Sequence, residues 1–359
     1  MSIEQELIQY GITTKLEKLY KTNNKYKKYE YLNCLERWIL SSCINGTVYS
    51  ITNPKDPVNQ KLASELNDKK IPNLINKILS TVKNNIGLKR PVVIQNNTCP
   101  FIDNTTGRQG WIVRIKIKNA PDVSIKIPMS KQRYDALQSY EKEPLTCMFL
   151  RYSTLLNRGQ QWALPHSQFK HLAEHYDVNH EGFASPLNSG ILSLNTHGKF
   201  CSLFKDTDEV FGSIGGFFDQ TVYTDPVDLV SLEKLHIDEK KEKVKEPLPP
   251  PKHWVVNPPF IISVMSRTTD KILRELESAS VLNVNCMVVY ILPSWTDFEG
   301  YTRIQNSKFL KYTQHMEKKK HFYEHMGDRK IVNAKSTIFV LDTYEEKKDY
   351  TNIAAPMVL

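Results

Sequence analysis

The chain contains 359 residues, of which 40% are hydrophobic and 24% are charged. That balance excludes a wholly disordered chain, and the length suits two domains or one large domain. The formal net charge is +9, and residues 1–90 alone carry fifteen Lys and Arg against eight Asp and Glu. The basic excess favours a polyanionic partner, nucleic acid first, with a merely Lys- and Asn-rich composition as the alternative.

Apolar runs and cysteines narrow the class of protein further. The longest apolar run, Cys286–Pro293, has about a third of the length that a bilayer span requires, so we predict no transmembrane helix and no membrane partner. The first twenty residues lack the apolar core of a secretory signal. The six cysteines are scattered without a C-x-x-C pair, which predicts reduced thiols and no bound metal.

Residues 1–160 predict an accessory domain of helices and short strands that contributes to RNA or cap binding. Apolar residues at mixed three and four spacing indicate helices, whereas β-branched residues and strict alternation indicate strands. The predicted helices are Glu4–Leu19, Tyr31–Ser42, Asn73–Val82 and much of 131–158. The predicted strands are Pro91–Gln95, Gly110–Ile117 and Val123–Ile127.

Residues 161–345 alternate strands with helices, which predicts an α/β domain with a mostly parallel, doubly wound sheet. The predicted helices are Phe169–His175 and Ile261–Ser278. The predicted strands are Gly182–Ser185, Gly215–Phe218, Trp254–Val256, Met287–Leu292 and Thr337–Leu341. A charged, Pro-rich stretch near 228–251 is typical of an inserted loop. Residues 346–359 are predicted to form a C-terminal tail. The protein is predicted to be a monomer or a weak oligomer.

The strongest chemical signal is the sequence VVNPPF at Val255–Phe260, where an apolar strand runs directly into a rigid prolyl turn. The Asn257 amide oxygen and the Pro258 carbonyl suit the two hydrogens of an exocyclic amine, and Phe260 suits the ring that carries the amine. Holding both N–H groups favours a tetrahedral adenine N6 whose lone pair attacks a methyl group. This is catalysis by orientation, without a strong base. A rigid surface turn is the alternative.

NPPF resembles the (D/N)PP(Y/F) signature of S-adenosylmethionine-dependent amino-methyltransferases. Four further motifs accompany it: WALP at Trp162–Pro165, EGFASPLN at Glu181–Asn188, FGS at Phe211–Ser213, and ILPSW at Ile291–Trp295 followed by R-x-x-x-S-K-F at Arg303–Phe309. Together, over roughly residues 145–342, they resemble the cap-specific adenosine N6-methyltransferases called CAPAM, the phosphorylated-CTD-interacting factors. The resemblance implies a helical domain beside a Rossmann-type domain. It also implies N6-methylation of a first transcribed 2′-O-methyladenosine after an m7G cap.

The resemblance also implies site residues, a cofactor and partners. The implied catalytic residues are Asn257, Pro258, Pro259 and Phe260. Those implied around the S-adenosylmethionine cofactor are Ser185, Pro186, Leu187, Asn188, Phe211, Gly212 and Ser213. The implied partners are m7G-capped RNA and the transcription or capping machinery. The Lys- and Asn-rich composition leaves the compartment open between a nucleus and a viral cytoplasmic transcription site. Two features depart from the family: no WW module is seen near Trp38, and Ile261 and Ile262 follow NPPF.

Other patterns leave alternatives open. Lys308–Lys330 interleaves cations with aromatics, which suits single-stranded RNA or else a solvated amphipathic helix. The candidate RNA-binding residues are Trp295, Arg303, Lys308 and Lys311, although Trp295 equally suits a core position. His171–His175 matches the H-x-x-E-H zinc pattern, but we favour an ordinary surface helix. The functional alternatives are methylation of internal RNA or DNA adenines, and a catalytically silent cap-RNA-binding subunit.

Overall fold

The computed structural model describes residues 2–22, 93–103, 107–118, 122–155, 162–194, 198–223, 251–325, 327–346 and 348–359. The chain divides into two compact units. Unit 1 comprises Met1–Trp162, Leu203–Phe211 and His325–Asp328, and unit 2 comprises Ala163–Ser202, Gly212–Glu324 and Arg329–Leu359. The predicted helices Tyr31–Ser42 and Asn73–Val82, Trp38, and residues 228–250 of the predicted insertion lie outside the described residues.

The secondary-structure elements are numbered here in chain order. The described helices are α1 Ile3–Thr22, α2 Lys131–Leu137, α3 Lys142–Ser153, α4 His166–Tyr176, α5 Gly190–Leu194, α6 Lys205–Asp208, α7 Ile262–Val281 and α8 Glu299–Gln305. The described strands are β1 Val93–Asn96, β2 Cys99–Ile102, β3 Gln109–Ile117, β4 Val123–Met129, β5 His180–Ala184, β6 Lys199–Ser202, β7 Lys252–Val256, β8 Cys286–Pro293, β9 Leu310–Met316, β10 Phe322–His325, β11 Asp328–Ile331 and β12 Ser336–Asp342.

Unit 1 is built around the antiparallel strand β3. It pairs with β4 on one edge and with the short strands β1 and β2 on the other. The Trp111 ring on β3 lies 6.1 Å from the Phe149 ring on α3, which joins sheet and helix. Helix α1 is held by a fully buried ion pair in which Arg151 donates to Glu6 over 2.6 Å. Removing Arg151 would leave the buried Glu6 carboxylate without this cation, at a cost of about 3–5 kcal/mol, whereas Arg151 also pairs with Asp206 at 3.3 Å.

Unit 2 contains a six-stranded sheet in the order β6-β5-β7-β8-β12-β9. The first four strands are parallel, and β12 runs antiparallel to both of its neighbours. The predicted mixed α/β fold with a mostly parallel sheet is therefore confirmed. From β5 the chain passes to β6 on one side and then to β7 on the other. The carboxyl ends of β5 and β7 thus flank the switch point at which open α/β sheets bind ligands.

The core of unit 2 lies on both faces of this sheet. Alternate residues of β8 enter opposite layers, because successive side chains of a strand point to opposite faces. Val288, Tyr290 and Leu292 pack with α7, whereas Met287, Val289 and Ile291 pack with α4 and the C-terminal residues. Helix α7 presents an apolar stripe at three and four spacing that includes Val264, Met265, Thr268, Ile272, Leu276 and Ala279.

Some local predictions differ from the structure. Gly215–Phe218, predicted as a strand, is a turn leading into a 3-10 helix at Phe217–Asp219, because Gly215 has a φ of 94° and Gln220 Nε2 closes the turn on the Ile214 carbonyl at 2.8 Å. The amphipathic-helix alternative for Lys308–Lys330 is wrong, since strands β9, β10 and β11 occupy it. Residues 346–359, predicted as a tail, place Tyr350, Ile353 and Met357 in the core.

Candidate active site

The turn that follows β5 is formed by Ser185–Asn188 and closes on itself. The backbone N–H and the hydroxyl of Ser185 donate to the Asn188 side-chain oxygen at 2.7 and 2.9 Å. The Asn188 N–H in turn donates to the Ser185 carbonyl at 3.0 Å, while Pro186 is buried and Leu187 half-buried. Because the Asn188 oxygen is fully engaged, its Nδ2 group is the part that remains available as a donor.

Glu181 on β5 accepts hydrogen bonds from the residues that directly follow this turn. Its buried carboxylate accepts hydrogen bonds from the Ser189 hydroxyl at 2.9 Å and from the Gly190 N–H at 3.0 Å, which fixes the start of α5. A Cβ added at Gly182 would lie 3.1 Å from the Phe217 ring and from a Val256 methyl group. The sequence analysis assigned no role to Glu181 or Gly182, although both stand in the EGFASPLN motif.

Gly212 and Ser213 lie beside β6. Ser213 forms a parallel bridge with Phe200, and the Ser202 and Ser213 hydroxyls are 2.7 Å apart. Gly212 has a φ of 92°, and a Cβ placed on it would meet only the edge of the Phe200 ring at 4.0 Å, so the backbone there is open to close approach. Phe211, the first residue of FGS, belongs to unit 1, where its buried ring lies 4.8 Å from Tyr140.

NPPF begins where the fully buried strand β7 ends. The Asn257 side-chain oxygen is buried and has no hydrogen-bond partner among the described residues. No described residue donates to the Pro258 carbonyl either, whereas the Pro259 carbonyl accepts the Ile261 N–H at 2.7 Å. Buried polar atoms in folded proteins are nearly always hydrogen-bonded, so the Asn257 oxygen is a candidate acceptor for a hydrogen bond from a ligand. It lies at the switch point of the sheet.

Two half-exposed aromatic rings accompany this acceptor. Phe260 follows the end of β7, and Trp295 follows the end of β8. Their ring centroids are 6.4 Å apart at an angle of 67°, and each side chain is 41% exposed. The structure therefore brings together the catalytic candidate Phe260 and the RNA-binding candidate Trp295, and it excludes the alternative that Trp295 is a core residue.

The ionisable side chains of β7 and β8 provide no base at NPPF. Tyr290 pairs in register with Val256, and its hydroxyl donates to the Met265 carbonyl at 3.2 Å. Burial raises the Tyr290 pKa, so the phenol stays protonated. Lys252 and His253 lie at the opposite end of β7, where burial lowers the His253 pKa. The edge at NPPF therefore offers hydrogen-bond acceptors and aromatic faces.

The remaining RNA-binding candidates face acidic partners. Arg303 pairs with Asp270, Lys308 with Glu277 at 2.8 Å, and Lys311 with Asp342 at 3.7 Å. The sheet register places Lys308 and Lys311 at the amino end of β8, because Leu310 pairs with Leu341 and Leu341 pairs with Val288. The structure does not bring Lys308 and Lys311 to the NPPF edge.

The zinc pattern on α4 has other partners. His171 Nε2 lies 2.9 Å from the Asn352 carbonyl, and Glu174 forms an exposed ion pair with Lys170. Within the part of the chain that the structure describes, no three His, Cys, Asp or Glu side chains cluster as a metal site. None of its described helices has the length and hydropathy that crossing a bilayer requires.

Comparison with known proteins gives one family. A family model described as "Phosphorylated CTD interacting factor 1 WW domain" matches residues 129–227 and 245–326, just over half of the chain. The matched residues include the FASPLN turn, FGS, NPPF and Trp295. No curated protein matches the chain.

Proposed function

The chain belongs to the phosphorylated-CTD-interacting-factor family, and on that premise we propose that it methylates N6 of the first transcribed adenosine of m7G-capped RNA. We take its α/β unit to be a Rossmann-type methyltransferase domain that uses S-adenosylmethionine. One observation carries the proposal: the buried, unpartnered Asn257 oxygen at the carboxyl end of β7.

The Asn257 oxygen and the Pro258 carbonyl form a pair of acceptors that suits an amine with two N–H groups. Leaving a buried acceptor unpaired costs the free protein about 1–3 kcal/mol. An adenine N6 amine that donates to both oxygens removes this cost and is held in one orientation. The same two bonds draw the nitrogen towards a tetrahedral geometry, which directs its lone pair out of the ring plane.

Phe260 and Trp295 suit the base itself. A base that stacks on an aromatic side chain gains about 1–3 kcal/mol. The two rings are tilted relative to each other and half-exposed, so an incoming adenine can cover their free faces. Stacking on these rings and hydrogen bonding to Asn257 would use different parts of the same base. That combination suits bases with an exocyclic amine, and the larger purine ring of adenine offers more surface for stacking than cytosine does.

The turn after β5 and the Gly212–Ser213 segment fit the proposed cofactor. Asn188 keeps its Nδ2 donor, and Gly212 leaves its backbone open, so both suit a polar ligand that approaches closely. S-adenosylmethionine, when bound, supplies an electrophilic methyl group. The strand order, which runs outward from β5 in both directions and has the antiparallel strand β12 next to one edge, also supports a Rossmann-type methyltransferase domain. If the FASPLN turn holds the methyl donor, the role of Asn257 is to orient the adenine amine towards that turn.

Association with the transcription machinery is part of the proposal. The family description names an interaction with the phosphorylated CTD, and capping of RNA accompanies transcription. We propose that this chain works in the same setting. The described residues leave methylation of internal adenines as the second candidate, since the acceptor pair and the aromatic pair suit any accessible adenine.

Two measurements test the proposal. Calorimetry with S-adenosylmethionine measures donor binding, and transfer of a labelled methyl group to capped and uncapped RNAs of one sequence measures activity. We expect donor binding and preferential transfer to capped RNA. Donor binding with equal transfer to both RNAs would favour the internal-adenine alternative, and cap binding without transfer would favour a silent subunit.

A further inference from the structure

Three consecutive lysines, Lys318, Lys319 and Lys320, form the turn between β9 and β10. All three are exposed, and none forms an ion pair with any residue that the structure describes. This sets them apart from Lys308 and Lys311, whose ammonium groups face carboxylates. Unpaired ammonium groups in a row make a local positive field that attracts anions.

The turn lies at the same edge of the sheet as NPPF. Met316, the last residue of β9, pairs with Ser336 of β12, and Ser336 pairs with Pro293 at the carboxyl end of β8. The loop before β12 continues this line towards Trp295. The Ser294 N–H donates to the Lys335 carbonyl at 3.1 Å, and Lys335 Nζ lies 2.9 Å from Glu317, the residue before the lysines.

The spacing between the turn and NPPF follows from the sheet. Three steps separate β7 from β9, by way of β8 and β12. Neighbouring strands lie about 4.8 Å apart, so the two sites are about 14 Å apart along the edge. A cap and the first few nucleotides of an RNA cover such a span. An RNA with its adenosine at NPPF therefore has phosphates within reach of the lysines.

Backbone contacts anchor the turn. The Lys319 N–H donates to the Val332 carbonyl at 2.8 Å, and the Lys320 carbonyl accepts the Leu359 N–H at 2.8 Å. Lys319 adopts a left-handed φ of 62°, a conformation in which glycine or asparagine is more usual. The three ammonium groups thus project from a fixed base, which lowers the entropy lost when phosphates bind.

We infer that the Lys318–Lys320 turn binds phosphate groups of the capped RNA whose adenosine occupies NPPF, an inference that rests on the proposed function. Lysine binds phosphate as a point charge without reading bases, so the turn positions the RNA and leaves the choice of adenine to NPPF. The phosphates belong either to the cap triphosphate or to the RNA backbone beyond the adenosine.

The test compares two variants that lose equal charge. In Lys318→Ala/Lys319→Ala/Lys320→Ala the turn is neutralised, and in the control Lys199→Ala/Arg274→Ala/Lys348→Ala three exposed cations towards the amino end of the sheet are removed. Fluorescence anisotropy measures binding of a labelled capped RNA oligomer in the absence of methyl donor, at several salt concentrations. Thermal melting checks that each variant is folded.

We expect the turn variant to bind about tenfold more weakly, with a salt slope lower by about 2, since each single-strand phosphate contact contributes about 0.7. The control should bind like the parent. The capped dinucleotide m7GpppA and an uncapped oligomer then identify the phosphates: weaker binding of the dinucleotide indicates the triphosphate, and weaker binding of the uncapped oligomer alone indicates the backbone.

Parental affinity and salt slope in the turn variant would overturn the inference, as would an equal loss in the control. If the triple variant does not fold, Lys318→Gln with Lys320→Gln tests the same point while keeping the Lys319 backbone. Because no donor is present, the result is independent of methyl transfer. A protein that binds RNA through the turn but transfers no methyl group would refute the proposed function alone.

Discussion

Replacing Asn257 by alanine separates an active-site role from a structural one. The Asn257 oxygen is buried and has no hydrogen-bond partner among the residues that the structure describes, which costs about 1–3 kcal/mol. Asn257→Ala removes that cost together with a little packing, so the free energy of unfolding should stay unchanged or rise by about 1 kcal/mol. Methyl transfer should fall by about 10²–10³, as for the loss of one oriented hydrogen-bonding group.

Asn188→Ala is the matched control, because it removes an asparagine at the same edge of the sheet whose oxygen is engaged. It deletes the acceptor of two hydrogen bonds from Ser185. The free energy of unfolding should therefore fall by about 1–3 kcal/mol. Asn257→Asp keeps an acceptor at the reacting position and should retain more activity than Asn257→Ala.

Denaturant unfolding gives the stabilities, and single-turnover transfer of a labelled methyl group gives the rates. Donor binding by calorimetry should be the same in Asn257→Ala and in the parent. The reasoning fails if Asn257→Ala is destabilised as much as Asn188→Ala, because the oxygen would then have a structural partner. It also fails if Asn257→Ala transfers methyl groups at the parental rate.

Three further predictions follow from packing and burial. Trp295→Ala should raise the KM for RNA about 5- to 150-fold, from a stacking loss of about 1–3 kcal/mol, while Trp295→Phe should change it little. Steady-state kinetics with unchanged donor binding checks this. Gly190→Ala should lower the free energy of unfolding by about 3 kcal/mol, measured in denaturant, because its Cβ would lie 2.0 Å from the Phe169 ring. Burial lowers the pKa of His253 from 6.5. As the pH drops below 6.5, the imidazole is protonated in the unfolded chain before it is protonated in the folded protein. The His253 contribution to the free energy of unfolding is therefore constant above pH 6.5 and falls below it. Melting curves should show that His253→Gln flattens part of this fall, and His321, whose pKa burial also lowers, contributes in the same direction.

Elements with a strong apolar period were predictable from sequence. Helix α7 and strands β8 and β12 carry long apolar patterns, because each is buried by the layers around it. The edge strands escaped prediction for the opposite reason. Strand β9 buries only Met316, and β6 is four residues long, so neither leaves a clear alternation in the sequence. Their pairing is decided by neighbours that lie far away in the chain.

The candidate site shows the same division. NPPF was recognisable because a rigid turn directly after an apolar strand has a local signature, whereas FASPLN was recognisable only through the family resemblance. The sequence singled out the whole basic segment Lys308–Lys330 for RNA binding but not Lys318–Lys320 within it, since composition alone does not tell which end of a strand faces the site. Lys308 and Lys318 stand in the same basic segment, yet strand β9 separates them and carries them to opposite edges of the sheet. Register decides between them.

The position of the methyl group on the RNA distinguishes cap-adjacent from internal methylation. A labelled methyl group is transferred to m7G-capped RNA that begins with 2′-O-methyladenosine and contains internal adenosines, and the digested RNA is separated by chromatography. We expect label in N6-methylated adenosine from the first transcribed position, with transfer at least about tenfold, or 1.4 kcal/mol, above the same uncapped RNA. Label spread over internal adenosines, or equal transfer without the cap, would contradict it.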